Sequence, residues 1–275
     1  MKITAQEVNE LRKTTGAGMM DCKQALMESD GDMEKAIDYL RKKGQKIAAK
    51  RADRDASEGV VLAKISQDKT FAAVVMVNCE TDFVAKNQDF ISYVESIIDL
   101  AVANKIQSAD DLKAAKLNDR TVGESLVDKT GVIGEKIELG KYETLAADSV
   151  YSYIHPGNRI ASIAGLNKSG DNLETAGHDV VMQIAAMAPV AVDKDTVPQD
   201  MIDREIEIGK EQARQEGKAE DMLEKIALGK LNKFFKESTL LNQAFIKDSK
   251  KSVDQYLKEY NKELTVTDFK RVALA

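Results

Sequence analysis

The side chains here that could do chemistry are two histidines, two cysteines, one close pair of acids and some glycine clusters. His155 and His178 stand alone: neither sits in an HExxH or a Cys/His ligand spacing, and no GxSxG nucleophile turn accompanies them. Cys22 and Cys79 lie far apart in apolar-flanked segments and make no CxxC pair, so both read as reduced, partly buried thiols. Gly16-Ala17-Gly18 lacks the third glycine of a dinucleotide fingerprint, and Gly131–Lys136 lacks the spacing of a phosphate loop. Glu80 and Asp82 could act as an acid/base pair, although acids two apart on a strand are common surface residues. The expectation is a protein without catalytic residues, metal ligands or cofactor, and therefore one that acts by binding.

Composition narrows what it binds. The formal charge of −6 argues against nucleic acid as a direct partner, because phosphate binding draws on clustered Lys and Arg. The opening residues contain no apolar core of a signal peptide, and the run Phe71–Val77 is too short to span a bilayer. A cytosolic protein with no membrane partner is expected. Hydrophobic residues make up 43% of the 275, enough for real cores, while the absence of Trp and only 3 Pro favour helix-rich packing of Ala, Val, Ile, Leu and Met.

The elements that would position these residues follow from periodicity. Residues 4–44 read as three short helices. Thr4 and Glu7 form a capping box ahead of Val8 and Leu11; Cys22, Ala25 and Leu26 line the second helix; Asp32 caps the third, which carries Met33, Ala36, Ile37 and Leu40 and is expected to stop at Gly44. Lys42–Arg54 is basic and has no interleaved aromatic, so it reads as a solvated helical linker. Val60–Ile65, a polar turn and Phe71–Cys79 then make a β-hairpin followed by a helix through Phe90, Val94, Ile97, Ile98 and Ala101. Residues 119–130 supply a further helix, with Gly131, Gly134 and Gly140 at its exit. The strand, strand, helix order returns in Tyr151–His155, Arg159–Leu166 and a helix through Val180, Val181, Ile184, Ala185 and Ala188.

Thr196-Val197-Pro198 starts a long charged helix to about Glu216, Gly217 breaks it, and a second runs to Phe235 with Leu223, Ala227, Lys230 and Phe234 along one side. The pair predicts a projecting antiparallel helical hairpin, or coiled coil, whose thin apolar stripe needs another surface, a second copy of the chain among the candidates. Ser252 with Gln255 caps a last helix lined by Val253, Tyr256, Leu257 and Tyr260, and Leu264–Leu274 is extended. The fold class is α+β, with two related subdomains of antiparallel sheet packed with helices. The expected divisions are 1–54, 55–140, 141–251 with the hairpin at about 197–235, and 252–275.

One stretch carries more information than its surroundings. In Val77–Asn87 a strand ends in polar residues, Asp82 can bond its own following backbone, and Phe83 sits at the tip before the next helix; an ordinary Phe there would pack into its own core. Val77–Lys86 resembles the TDFV signature of the elongation factor Ts family, and Leu11–Leu26 resembles that family's amino-terminal signature almost throughout. The resemblance continues through Tyr153–His155, Arg159-Ile160, Gly217-Lys218, Glu224–Ile226 and Gly229–Phe234, in the family's order. The chain departs from the family pattern at Pro156, Ala219 and Ala244, which concerns turn details and leaves both signatures intact.

The resemblance implies a non-catalytic guanine-nucleotide exchange factor that binds elongation factor Tu in its GDP-bound and nucleotide-free states. It implies that Thr81, Asp82, Phe83 and Val84 disturb the partner's magnesium and phosphate site, and that Arg12, Met19, Met20 and His155 make further contacts. The amino-terminal trio also looks like the ubiquitin-associated type. That likeness keeps an adapter or scaffold without exchange activity as the alternative, and an enzyme using Glu80 and Asp82 as a third reading.

Overall fold

Side chains that stand in for missing backbone partners set where the helices begin. The computed structural model describes residues 3–274. Thr4 Oγ1 accepts the Glu7 N–H at 3.3 Å while the Glu7 carboxylate accepts the Thr4 N–H at 2.7 Å, and this box starts α1 (Ala5–Thr15). Gly16, at φ 71°, ends it, and α2 (Met19–Glu28) follows. Asp32 caps α3 (Met33–Arg51). Leu11, Cys22, Ala25, Leu26 and Ala36 close the core of this trio with no exposed surface.

The chain divides into two compact units. The first comprises the residues up to Leu62, Val75–Glu143 and Leu274; the second comprises Ala63–Val74 and Thr144–Ala273. Strands β1 (Glu58–Ile65) and β2 (Phe71–Cys79) form the first hairpin, as their apolar runs predict. After β2 the first unit continues through the one-turn helix α4 (Asp82–Ala85), α5 (Gln88–Ala103), α6 (Ala109–Ala114), the small hairpin β3 (Lys116–Leu117) and β4 (Arg120–Thr121), and α7 (Val122–Ile133). Strand β5 (Glu138–Ala146) then completes a sheet of order β1–β2–β5.

Two expectations about glycine fail here for one reason. Gly44 does not stop α3, and Gly131 does not end α7. A Cβ on Gly131 would lie 2.4 Å from the Gly44 Cα, so the two helices touch backbone to backbone at this pair. A glycine placed for close approach looks, in sequence, like one placed to break a helix. Gly134, at φ 82°, is the residue that ends α7, while Gly140 lies inside β5.

The second unit holds β6 (Ser149–Ile154), β7 (Ile160–Leu166), α8 (Glu174–Met187), α9 (Gln199–Gln215), α10 (Glu220–Ser238), β8 (Ala244–Phe245), β9 (Asp248–Ser252), α11 (Val253–Tyr260) and β10 (Val266–Ala273). Its main sheet is antiparallel with order β10–β7–β6, so in both three-stranded sheets the second strand of the hairpin is central and a later strand completes the set. Helix α8 packs on β6 and β7, burying Val181 and Ile184 against Leu166, Leu240 and Leu257.

Helices α9 and α10 pack on each other across Gly209 and Ala213 on one side and Leu223, Ala227 and Leu231 on the other. The expected stripe therefore shifts: Leu231 is buried, whereas Lys230 and Phe234 are half-exposed. Helical geometry explains the shift, because 223, 227 and 231 repeat every four residues along one face. The chain is a mixture of helix and sheet of the α+β kind.

Candidate partner-binding site

Strand β2 runs out at Cys79, and the next residues form a tight turn whose backbone is held from behind. Thr81 is the cap: its Oγ1 accepts the Val84 N–H at 3.4 Å and its carbonyl accepts the Ala85 N–H at 3.2 Å. Asp82 is the first residue of α4, and its carboxylate pairs with Lys86 at 2.7 Å. That ammonium keeps the Asp82 carboxyl below its usual range. The Asn87 side chain accepts the Asp89 N–H at 2.8 Å and starts α5, so α4 is confined between two caps.

Phe83 has no such commitments. It is 83% exposed, the most open large apolar side chain among the described residues, and it lies within the one-turn helix rather than ahead of a helix. Thr81, Asp82 and Val84 beside it are half-buried.

Behind the turn stands Glu135, which sequence reasoning did not single out. Its carboxylate accepts the Glu80 N–H at 3.1 Å, the Thr81 N–H at 3.0 Å and the Thr81 hydroxyl at 2.6 Å. Glu80 faces the other way: it accepts the Lys136 N–H at 2.6 Å and Arg51 Nη1 at 2.8 Å to both oxygens. The Lys136 N–H first, then Arg51, hold its carboxyl below the ordinary 4.5. Glu80 and Asp82 thus serve separate partners and do not form an acid/base pair. The basic segment is likewise no simple linker, because Arg51 ends α3 on this carboxylate.

Cys79 adds a third anchor. Its Sγ donates to the Thr81 carbonyl at 3.2 Å, and burial, with the Glu135 charge, pushes the thiol up to about 12, so it stays protonated at neutral pH. Cys22 is also free and buried, and its thiol is raised by the same desolvation.

Of the remaining expected contact residues, Arg12, Met19 and Met20 lie on α1 and α2 of the same unit. Met19 is 56% and Met20 76% exposed, and Arg12 is exposed with no ion pair among the described residues. His155 belongs to the second unit, exposed at the end of β6, with Nδ1 3.1 Å from the Tyr153 hydroxyl. Among the described residues no cluster of acids, histidines or cysteines could hold a metal ion, and no helix is long and apolar enough to cross a membrane.

Comparison with known proteins decides between the readings. The family model described as Elongation factor TS matches residues 80–275, which includes the whole turn. The chain belongs to the elongation factor Ts family. Elongation factor Ts of Christiangramia forsetii is 54% identical over 273 residues, covering 99% of each chain. Those of Cytophaga hutchinsonii and Porphyromonas gingivalis are 52% and 50% identical, covering 99% or more of both chains. Such matches extend elongation factor Ts similarity through α1–α3, which precede the span of the family model. The adapter reading loses its ground, since the resemblance holds along the chain rather than in the amino-terminal trio alone.

Proposed function

We propose that this chain is a translation elongation factor that exchanges guanine nucleotide on elongation factor Tu, and that Phe83 is the wedge with which it does so. An exchange factor breaks no covalent bond and is not an enzyme in the usual sense. It must bind the nucleotide-free partner more tightly than the nucleotide-bound one, and by linkage that difference weakens the nucleotide. A group that does this has to be rigid, apolar and offered outward. One observation carries the reading: Phe83 stands 83% exposed on a turn whose cap residue, Thr81, is held through its N–H and its hydroxyl by Glu135. Its ring would enter between helices of the partner's GTPase domain, with Asp82 able to hydrogen-bond at the mouth of the cleft, and so loosen the packing that holds magnesium and phosphate.

The rest of the affinity would come from broader surfaces. Met19 and Met20 suit an adaptable apolar contact, with Arg12 beside them, and His155 would touch the partner from the second unit. The α1–α3 trio would be of the ubiquitin-associated type, ending near residue 54. Residues 55–140 and 141–251 would be related core subdomains, followed by a carboxy-terminal module of 252–275. The α9–α10 hairpin would act as a coiled coil, and its exposed apolar side chains Ile208, Met222 and Leu228 would be available to a second copy of the chain. Both GDP-bound and nucleotide-free partner would be recognised, without nucleic acid.

The direct test is release of fluorescent GDP from elongation factor Tu. Adding catalytic amounts of this chain should accelerate release and allow loading with GTP. An unaccelerated rate at saturating concentrations would sink the assignment.

A further inference from the structure

The residues that bear on a partner leave open what holds them still. An isolated four-residue helix has no stability of its own, because nucleation costs more than one turn returns. Phe83, being exposed, gains little from its own contacts. Something else must fix the ring, and the first unit contains a candidate of unusual completeness.

The turn after β2 and the turn after α7 clasp each other reciprocally. Glu135 takes the backbone N–H groups of Glu80 and Thr81, at 3.1 and 3.0 Å, while Glu80 takes the backbone N–H of Lys136 at 2.6 Å. Glu135 also takes the hydroxyl of Thr81, the residue that caps α4, at 2.6 Å. Arg51, the last residue of α3, then holds Glu80 through both carboxylate oxygens. Bonds to ionised acceptors are the strong ones, and both oxygens of Glu135 are engaged.

We infer that Glu135 is a positioning residue for nucleotide exchange, fixing the Thr81–Ala85 turn so that Phe83 meets its cleft in one orientation. The inference rests on the reading of Phe83 as the wedge. Pushing a ring into packed helices requires a support that does not yield, and the Glu135 clasp supplies it through two backbone N–H groups together with the Thr81 hydroxyl. Without it the turn samples other orientations, and only the competent fraction inserts. Encounter with the partner is carried elsewhere, so the loss falls on the insertion step. The chemistry also explains the residue type. Glutamine keeps one acceptor but offers an amide NH2 where the second is needed, so it should restore the clasp only in part.

The test measures GDP release against exchange-factor concentration for wild type, Glu135→Ala, Glu135→Gln, Phe83→Ala and the Phe83→Ala/Glu135→Ala double variant. Glu135→Ala should lower the saturating rate on the order of tenfold while the half-saturating concentration stays within about threefold, and Glu135→Gln should fall between it and wild type. Because Glu135 acts through Phe83, the double variant should be no slower than Phe83→Ala alone. Wild-type saturating rates in both Glu135 variants, or losses that multiply in the double variant, would overturn the positioning role. Should Glu135→Ala melt early, the milder Glu135→Gln decides by the same rate. A wild-type rate for Phe83→Ala takes the wedge and its positioning down together, whereas slow Phe83→Ala beside normal Glu135 variants removes only the positioning.

Discussion

Replacing Phe83 by Ala separates folding from function more cleanly than any other change in this chain. With 83% of the residue open, truncation removes almost no internal contact, and Ala is at least as good a helix former in α4, so stability should change by less than about 0.5 kcal/mol. The loss appears only when a partner covers the ring. Burying a Phe is worth roughly 1.5–3 kcal/mol; discounted to the open 83%, that is about 1.2–2.5 kcal/mol. At about 1.4 kcal/mol per decade, the rate of GDP release at limiting exchange factor should drop roughly seven- to sixtyfold. Nucleotide held at nanomolar affinity is bound by roughly 12 kcal/mol, so the wedge accounts for part of the displacement and residual exchange should persist. Stopped-flow fluorescence of labelled GDP on elongation factor Tu measures the rate, and a circular-dichroism melt confirms the fold. If the variant melts like wild type and releases GDP within about twofold of it, the wedge argument is wrong.

Other perturbations probe the surroundings. Met19→Ala with Met20→Ala should leave the melting curve unchanged but weaken complex formation about tenfold or more, as isothermal titration would show, because both side chains are open in the free chain. Gly131→Ala should destabilise by about 3 kcal/mol in urea, at the upper end of overpacking costs, since its Cβ would meet the Gly44 backbone at 2.4 Å; a neutral result would mean that α3 and α7 do not touch there. Glu80 has a folded pKa below its ordinary 4.5, so its clasp contributes fully above that value and is lost as pH falls through the lower folded one. Melting temperatures from about pH 6 to about pH 3 should therefore fall less steeply for Glu80→Gln than for wild type, and parallel curves would remove Glu80 from the acid response. Neither buried thiol should react with an aromatic disulfide reagent at neutral pH until the protein unfolds; prompt labelling would contradict the raised Cys79 thiol.

Periodicity made the larger elements legible. The box at Thr4 and Glu7, the Asp32 cap, the apolar runs of β1 and β2 and the face of α5 through Phe90, Val94 and Ile97 all depend on neighbours within a few residues. Strand β5 escaped notice because most of its residues are half-exposed or exposed, with Tyr142 and Leu145 as its buried positions three apart, so no alternation marks it. Gly44 and Gly131 misled because what they do depends on a helix far along the chain. The clasp is illegible for the same reason: Arg51 and Glu80 are 29 residues apart, Glu135 and Thr81 are 54 apart, and nothing local to either marks them as partners.

Phe83 presents the opposite case, where the motif is visible but its meaning depends on exposure. Large aromatics usually supply core, and a Phe between a strand and a helix would by default be placed inside. The structure puts it outside, on a turn whose polar neighbours are engaged elsewhere: Thr81 with Glu135, Asp82 with Lys86, Cys79 with the Thr81 carbonyl. Folding gives little reason for an aromatic here, since the second position of a one-turn helix could hold Ala or Lys with almost no loss of internal contact. A bulky ring that is 83% open, on a backbone held by a carboxylate clasp, is the arrangement the proposed wedge calls for, and under that proposal its physical reason would be a surface beyond the chain.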